Sequence, residues 1–219
     1  AALQADVEAW YERYEFHPAV ARLQVFCSED LGAFYLDVLK DRLYTTAADS
    51  LARRSAQTAL WHITNGLLKL LAPILSFTAE EAWKHFRGEE DTLTIFTETW
   101  HQFPEMADAS ALVAKWARLR EIRAEAMRRI EEVRATGKVG SSLAAEIDIH
   151  AQGNDLEILR SLGDDLRFVL IVSRATVHAC TEPELRIDVQ PSDAAKCERC
   201  WHHRPDVGSD PQHPTICGR

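Results

Sequence analysis

No apolar run in this chain is long enough to span a bilayer. Stretches such as Leu67 to Leu75 are short and interrupted, whereas a spanning helix needs about 20 apolar residues. The N-terminal AALQADVEAW lacks the basic start, apolar stretch and cleavage site of a secretory signal. It also lacks an initiating Met, so an excised piece or a processed chain is expected. Cysteine is scarce and odd in number, five in 219 residues with three crowded at the end, which excludes a secreted disulfide framework and fits a reducing cytoplasm. Cys27 and Cys180 stand alone among apolar neighbours and are expected in the core. Positive charge is in deficit, 25 Lys and Arg against 34 Asp and Glu for a net −9. That argues against a general polyanion binder, so any nucleic-acid contact must come from local basic groups. No Ser/His/Asp set, nucleotide-binding fingerprint or paired-carboxylate site is present. GKVGSS (Gly137 to Ser142) has no phosphate-loop pattern and reads as a helix stop and turn. No internal repeat or low-complexity segment occurs, and no catalytic residue is assigned.

What is present is an ordinary folded composition, 46% hydrophobic and 27% charged, in a length that suits one large domain or two small ones. The first hundred residues read as helices. Ala1 to Tyr14 is the first, and His17-Pro18 opens a second that runs to about Phe26. Ser28 is expected to N-cap a third, with Glu29 and Asp30 in its first turn and Leu31, Phe34, Tyr35, Val38 and Leu39 on one face. After the polar TTAADS, Asp49 or Ser50 can cap a long helix that Pro73 ends or kinks. Thr78-Ala-Glu-Glu81 has the form of a capping box for a short helix through Trp83 to about Phe86.

Gly88 to Ser110 reads as a linker with some extended chain. A long helix follows over Ala111 to Ala135. Its seam of Leu112, Trp116, Leu119, Arg123, Ala126, Ile130 and Val133 is spaced 4-3-4-3-4-3, and Gly137 is placed to cap its end. AAEIDIHA alternates like a strand, Asp155 to about Arg167 is amphipathic and reads as a helix, and Ala175 to Cys180 and Leu185 to Gln190 read as strands joined by a turn. The expected fold is mainly α. An antiparallel helical bundle occupies residues 1–105, a long helix with a smaller α+β region 106–190, and a zinc-finger-like tail 191–219.

That tail is KCERCWHHRPDVGSDPQHPTICGR. Cys197 and Cys200 form a Cys-x-x-Cys knuckle, and Cys217 stands where a second would begin. Zn²⁺ takes four soft or borderline ligands in a tetrahedron, which two knuckles supply in structural sites. The residues between are too polar and too few to build a core, so the tail should be disordered without a metal. A flexible tail that happens to hold three cysteines is the plainer alternative; the spacing favours zinc. His202, His203 or His213 can offer a fourth ligand, though at less suitable spacing. Arg199 and Trp201 flank Cys200. On a knuckle both would face outward, where an indole can stack an unpaired base and a guanidinium can neutralise its phosphate. Equally, Trp201 can pack the finger onto the rest of its domain.

A second candidate is KDRLYTTAADSLARRSAQTAL. Lys40 and Arg42 close one helix, where cations suit the dipole. Arg53 and Arg54 open the next, where the dipole disfavours cations, so they and the helix terminus together attract an anion such as phosphate. With Tyr44 in the loop between, the segment suits single-stranded RNA. The competing reading is a solvated face with ion pairs to Asp37, Asp41 and Asp49. The arginines of the long helix, Arg118 to Arg134, alternate with Glu121, Glu125, Glu131 and Glu132 and pair mostly along the helix.

FYLDVLKDRLYTTAADSLARRSAQTALWHI followed by LAPILSFTAEEAW resembles the anticodon-binding helical domain of class I aminoacyl-tRNA synthetases of the isoleucine/valine/leucine group. KVGSSLAAEIDIH, LGDDLRFVLIVSRATV and the cysteine tail narrow the resemblance to the bacterial-type isoleucyl-tRNA synthetases, over nearly the whole chain. The resemblance implies the C-terminal third of an enzyme that activates isoleucine with ATP and Mg²⁺ and charges tRNA(Ile). In that family the catalytic body of the same polypeptide carries the HIGH and KMSKS signatures, and a separate domain edits mischarged valine. Neither signature occurs here. The parent is expected to be a cytoplasmic monomer. The family's finger holds zinc with four cysteines; three match Cys197, Cys200 and Cys217, and the fourth is expected to follow Arg219. Arg199 and Trp201 match finger positions that contact the anticodon region, and Lys40, Arg42, Tyr44, Arg53 and Arg54 fall in the anticodon-facing helical segment. The alternative function is a DNA-binding zinc module, since similar fingers end some DNA repair glycosylases. A helical protein-interaction domain is a third.

Overall fold

In the first hundred positions Pro18, Pro73 and Gly88 stand at helix starts or joints, and helices fill the intervals between them. The computed structural model describes residues 1–88 and 93–219, and these divide into two units, Ala1–Glu105 and Met106–Arg219. In the first unit, α1 (Ala2–Glu12) stops at a joint where Tyr14 takes a left-handed φ of 58°. α2 (Phe16–Val25) follows, with Pro18 in its first turn where a missing N–H is not needed. Val7 of α1 packs on Ala19 and Leu23 of α2 and on Leu70 of α4 (Leu51–Leu71), and the Tyr11 hydroxyl donates to the Leu70 carbonyl at 2.7 Å. Ser50 caps α4 by accepting from the Arg53 amide at 3.3 Å. Between α4 and α5 (Ser76–Arg87), Ala72, Ala79, Trp83 and Ile95 form a second small core.

Two expectations about helix starts are corrected. Ser28 begins nothing: α2 passes through a π-helical stretch, Phe26–Leu36, directly into α3 (Asp37–Tyr44). No residue there forces a break, and the Ser28 hydroxyl turns back onto the Gln24 carbonyl at 3.0 Å. Gly32 suits the widened turn, because a Cβ there would stand 3.0 Å from the Cys27 carbonyl five residues earlier. Thr78 caps nothing either. α5 already starts at Ser76, whose hydroxyl donates to the Ala72 carbonyl at 3.0 Å. The acid that works is Glu80. Its carboxylate accepts from the Ile95 amide at 2.9 Å and the Thr94 hydroxyl at 2.8 Å, and these hold it below the usual carboxylate range. In the expected linker, residues 89–92 lie outside the described residues, and Ile95–Thr97 makes one 3₁₀ turn. The following segment crosses the helices. Lys69 pairs with Glu98 at 3.0 Å, Trp100 stacks on Tyr11, and the His101 ring meets His62 at 2.9 Å.

In the second unit, α6 (Ala109–Ala135) runs 27 residues and ends at Thr136, with Gly137 at φ 76°. Leu119, Ile122, Ala126 and Ile130 are its buried positions. They face a three-stranded sheet of order β2-β1-β3, built from β1 (Ala145–Ala151), β2 (Arg174–Ala179) and β3 (Arg186–Pro191). β2 and β3 read as neighbours in the sequence but flank β1. β1 pairs with β2 in parallel and with β3 antiparallel. β1 is the most apolar strand, with Ile147 and Ile149 fully buried, so it takes the centre. A parallel partner requires a crossover, and α7 (Gly153–Arg160) and α8 (Leu166–Leu170) provide it. The single helix expected over Asp155 to Arg167 is therefore two. Arg118 binds Asp155 through two parallel bonds, at 2.8 and 2.7 Å, and ties α6 to α7. Arg123, the one cation in the predicted seam, donates Nε to the Val169 carbonyl at 2.8 Å. Farther along α6, Arg128 and Arg129 pair with Glu125 and Glu132, and Arg134 with Glu131. Among the described residues no helix is long and apolar enough to cross a membrane.

Candidate metal centre and nucleic-acid interface

The last 25 residues have almost no apolar side chains to bury, so the backbone and the cysteines organise them. The Cys197 amide donates to the His202 carbonyl at 2.9 Å, and the Trp201 amide returns to the Cys197 carbonyl at 2.8 Å, closing a tight turn around Cys200. The second arm comes back through Gly208, where φ is 80° and a Cβ would stand 2.9 Å from the Pro214 carbonyl oxygen, leaving no space for a side chain. Glu198 N–H to Thr215 and Gly208 N–H to Ile216, both at 3.1 Å, hold the two arms together.

This turn brings the Sγ atoms of Cys197, Cys200 and Cys217 within 4.8 Å of one another. The Cys200 and Cys217 sulfurs are 3.7 Å apart. With Zn–S bonds of about 2.3 Å, the edge of a tetrahedral zinc site is about 3.8 Å. The donor chemistry fits as well. Amides of Cys200 and Cys217 point at the Cys197 sulfur, at 3.5 and 3.4 Å. Burial alone would raise the Cys197 thiol, but these amides, that of Arg199 and the Cys200 side chain outweigh it and bring it down to about 7. Cys200 is pushed the other way by burial, up to about 12. Among the described residues no histidine or carboxylate joins the three sulfurs. The Nδ1 atoms of His202 and His203 instead meet the carbonyls of Cys200 and Ala194, at 3.1 and 2.8 Å. The other two cysteines depart from the expected core positions: Cys27 is exposed on the π-helical stretch and Cys180 is half-buried just past β2.

The finger is docked on the sheet. Lys196 and His203 form an antiparallel bridge, and the His203 amide donates to the buried Ser173 hydroxyl at 2.6 Å. The buried His202 ring meets Phe168 of α8 edge-on at 5.5 Å. Trp201 takes no part in that docking. It is 61% exposed on a left-handed backbone with φ 65°, and the Lys196 ammonium lies 5.4 Å from its ring centre. Arg199 is also exposed. Ser173 carries no signal in the sequence, and Lys196 none beyond its place next to Cys197; His202, offered by the sequence as a fourth ligand, packs against Phe168 instead.

At the loop between α3 and α4 the predicted residues separate. Tyr44 is 71% exposed and Arg54 is exposed. Lys40 is exposed but paired with Asp37 at 2.9 Å. Arg42 is half-buried. Arg53 turns inward, with Nη1 at 3.5 Å from the Thr46 carbonyl.

Comparison with known proteins agrees with both features. Residues 1–149 match the family described as the anticodon-binding domain of tRNA ligase. Residues 195–219 match a family described as a zinc finger found in FPG and IleRS. The chain is 66% identical over 226 aligned residues to isoleucine–tRNA ligases of Bordetella petrii and Bordetella pertussis, covering all of this chain and 24% of each relative. It is 59% identical over 220 residues to that of Burkholderia multivorans, covering 23% of it. The chain thus spans about a quarter of the length of these relatives.

Proposed function

Because the chain belongs to the family of anticodon-binding domains of tRNA ligases, we propose that it grips the anticodon stem-loop of tRNA(Ile) as part of an isoleucine–tRNA ligase. The ATP- and Mg²⁺-dependent activation of isoleucine and its transfer to tRNA then take place in other parts of a cytoplasmic, monomeric enzyme. This chain supplies recognition, and recognition of a single-stranded loop needs stacking surfaces and cations more than reactive groups.

The observation that carries the reading is Trp201. A large indole held out of the fold by the cysteine turn is poorly explained by packing and well suited to an unstacked base. Arg199 beside it and Arg54 with Tyr44 at the α3–α4 loop add charge and a second aromatic face. Lys40 and Arg42 at the end of α3 add cations for the RNA backbone, and Arg53, which also holds the Thr46 carbonyl, adds a third. Cys197, Cys200 and Cys217 would hold a structural zinc, which cross-links the two arms of the finger and keeps the turn in place. A duplex-DNA ligand, the other use of such fingers, has no counterpart to the anticodon-domain match over residues 1–149.

The test is binding of the isoleucine anticodon stem-loop and of a DNA duplex by the full-length protein. Trp201→Ala should weaken hairpin binding by about 1–3 kcal/mol, the typical worth of one stacked base. Arg54→Ala should weaken it and lower the dependence of log K on log salt by about 0.7. Wild-type affinity in both variants, or a preference for the duplex, would overturn the assignment.

A further inference from the structure

Lys196 precedes the first cysteine of the finger and has no role in the sulfur cluster. Its position is nonetheless fixed. The backbone bridge to His203 holds it at the edge of the finger, and its ammonium sits 5.4 Å from the centre of the Trp201 ring. Trp201 is fixed as well. Its φ of 65° is a conformation that a bulky side chain avoids, and it is held there by the hydrogen bond its amide donates to the Cys197 carbonyl. An exposed indole is thus held in an orientation its own backbone disfavours, with a cation over one face. The surrounding chain is acidic, with Asp193 and Glu198 close in sequence and a net charge of −9 overall. An RNA phosphate approaching this turn therefore depends on the cations the turn itself presents.

We propose that Lys196 and Trp201 form a clamp for a single nucleotide of unpaired RNA. The base stacks on the indole face turned away from Lys196, and the Lys196 ammonium neutralises the phosphate of the same nucleotide. Because Lys196 occupies one face, the ring accepts one base and does not insert between two. Lys196 also polarises the indole and keeps it from rotating, so its contribution is tied to that of Trp201. The inference rests on the reading of Trp201 as an RNA contact.

The experiment measures binding of the isoleucine anticodon stem-loop across a salt series, using full-length, zinc-loaded protein carrying Lys196→Met, Lys196→Arg, Trp201→Ala or Trp201→Ala with Lys196→Met. Lys196→Met should weaken binding about three- to tenfold at low salt and lower the salt slope by about 0.7, the share of one phosphate contact on a single strand. Lys196→Arg should retain affinity and slope, since a guanidinium also stacks on an indole. In the Trp201→Ala background, Lys196→Met should cost clearly less than in the wild type. Zinc content should be the same in all. Wild-type binding by Trp201→Ala overturns both the RNA reading of Trp201 and the clamp. Weakened binding by Trp201→Ala together with an unchanged salt slope in Lys196→Met overturns the clamp alone.

Discussion

Ser173 is the residue on which the docking of the finger turns, and its removal has a calculable cost. The side chain is 2% exposed. Its Oγ donates to the Leu143 carbonyl and accepts from the His203 amide at 2.6 Å, while its own amide bonds Ala145 at 3.0 Å. Ser173→Ala keeps the backbone bond and deletes both hydroxyl bonds. It leaves one backbone donor and one acceptor unpaired at a buried point. Each such group costs about 1–3 kcal/mol, and relaxation should recover part, so the loss should be about 2–4 kcal/mol. At about 1.4 kcal/mol per tenfold, that is roughly a 30- to 1,000-fold larger opening constant for the seam between finger and sheet. Native-state hydrogen exchange reads this directly at the His203 amide. The amides of β1, whose backbone bond from Ser173 to Ala145 the substitution keeps, serve as internal reference. Unchanged protection of His203, with unchanged thermal stability, would refute the idea that this hydroxyl holds the finger. Loss of protection throughout β1 would show that it supports the whole unit instead.

Two further outcomes follow from the same geometry. Removing zinc from the loaded protein with a chelator should abolish exchange protection between residues 196 and 217, because little apolar burial remains to order them. Protection in β1 and α6, which have their own core, should persist, and this is checked in the same exchange experiment. His101 should make the first unit acid-sensitive. Its pKa is lowered, first by burial and then by the charges of His62 and Lys69. The folded state therefore resists a proton that the unfolded chain accepts near pH 6.5. Stability is complete above about pH 6.5 and falls as pH drops from there through the lowered folded value. Thermal melts at about pH 7.5 and about pH 5 should differ more for the wild type than for His101→Gln.

The long helix shows what was legible and what was not. Its heptad spacing marked Leu119, Ala126 and Ile130 correctly, yet it omitted Ile122, which is 1% exposed, and included Leu112, which is 37% exposed. A heptad presumes one facing helix, whereas α6 packs on a sheet and two short helices, so its buried stripe is wider and begins later. Ser28 and Thr78 fit the rules for helix starts, but those rules describe which residue can cap a helix, not whether the chain has already begun one. β2 and β3 are strands joined by a turn, as their pattern reads, but their partner in the sheet was not legible for a related reason. Short strands separated by a turn look like a hairpin until the most apolar strand, β1, claims the centre between them.

Residue order by itself determined the helical first half, the thiol cluster and the family, because capping residues, amphipathic spacing and a Cys-x-x-Cys turn act over a few positions along the chain. Tertiary structure alone decided which of the candidate contacts face outward. Arg53 and Arg54 are adjacent and chemically identical, yet one reaches back to Thr46 and the other projects into solvent. Trp201 could equally have anchored the finger. That task falls to His202, His203 and Ser173, residues 30 apart in the case of the Ser173–His203 bond, because only the folded sheet brings a buried hydroxyl to the base of the finger. With the docking satisfied there, the indole is left on the surface beside Lys196.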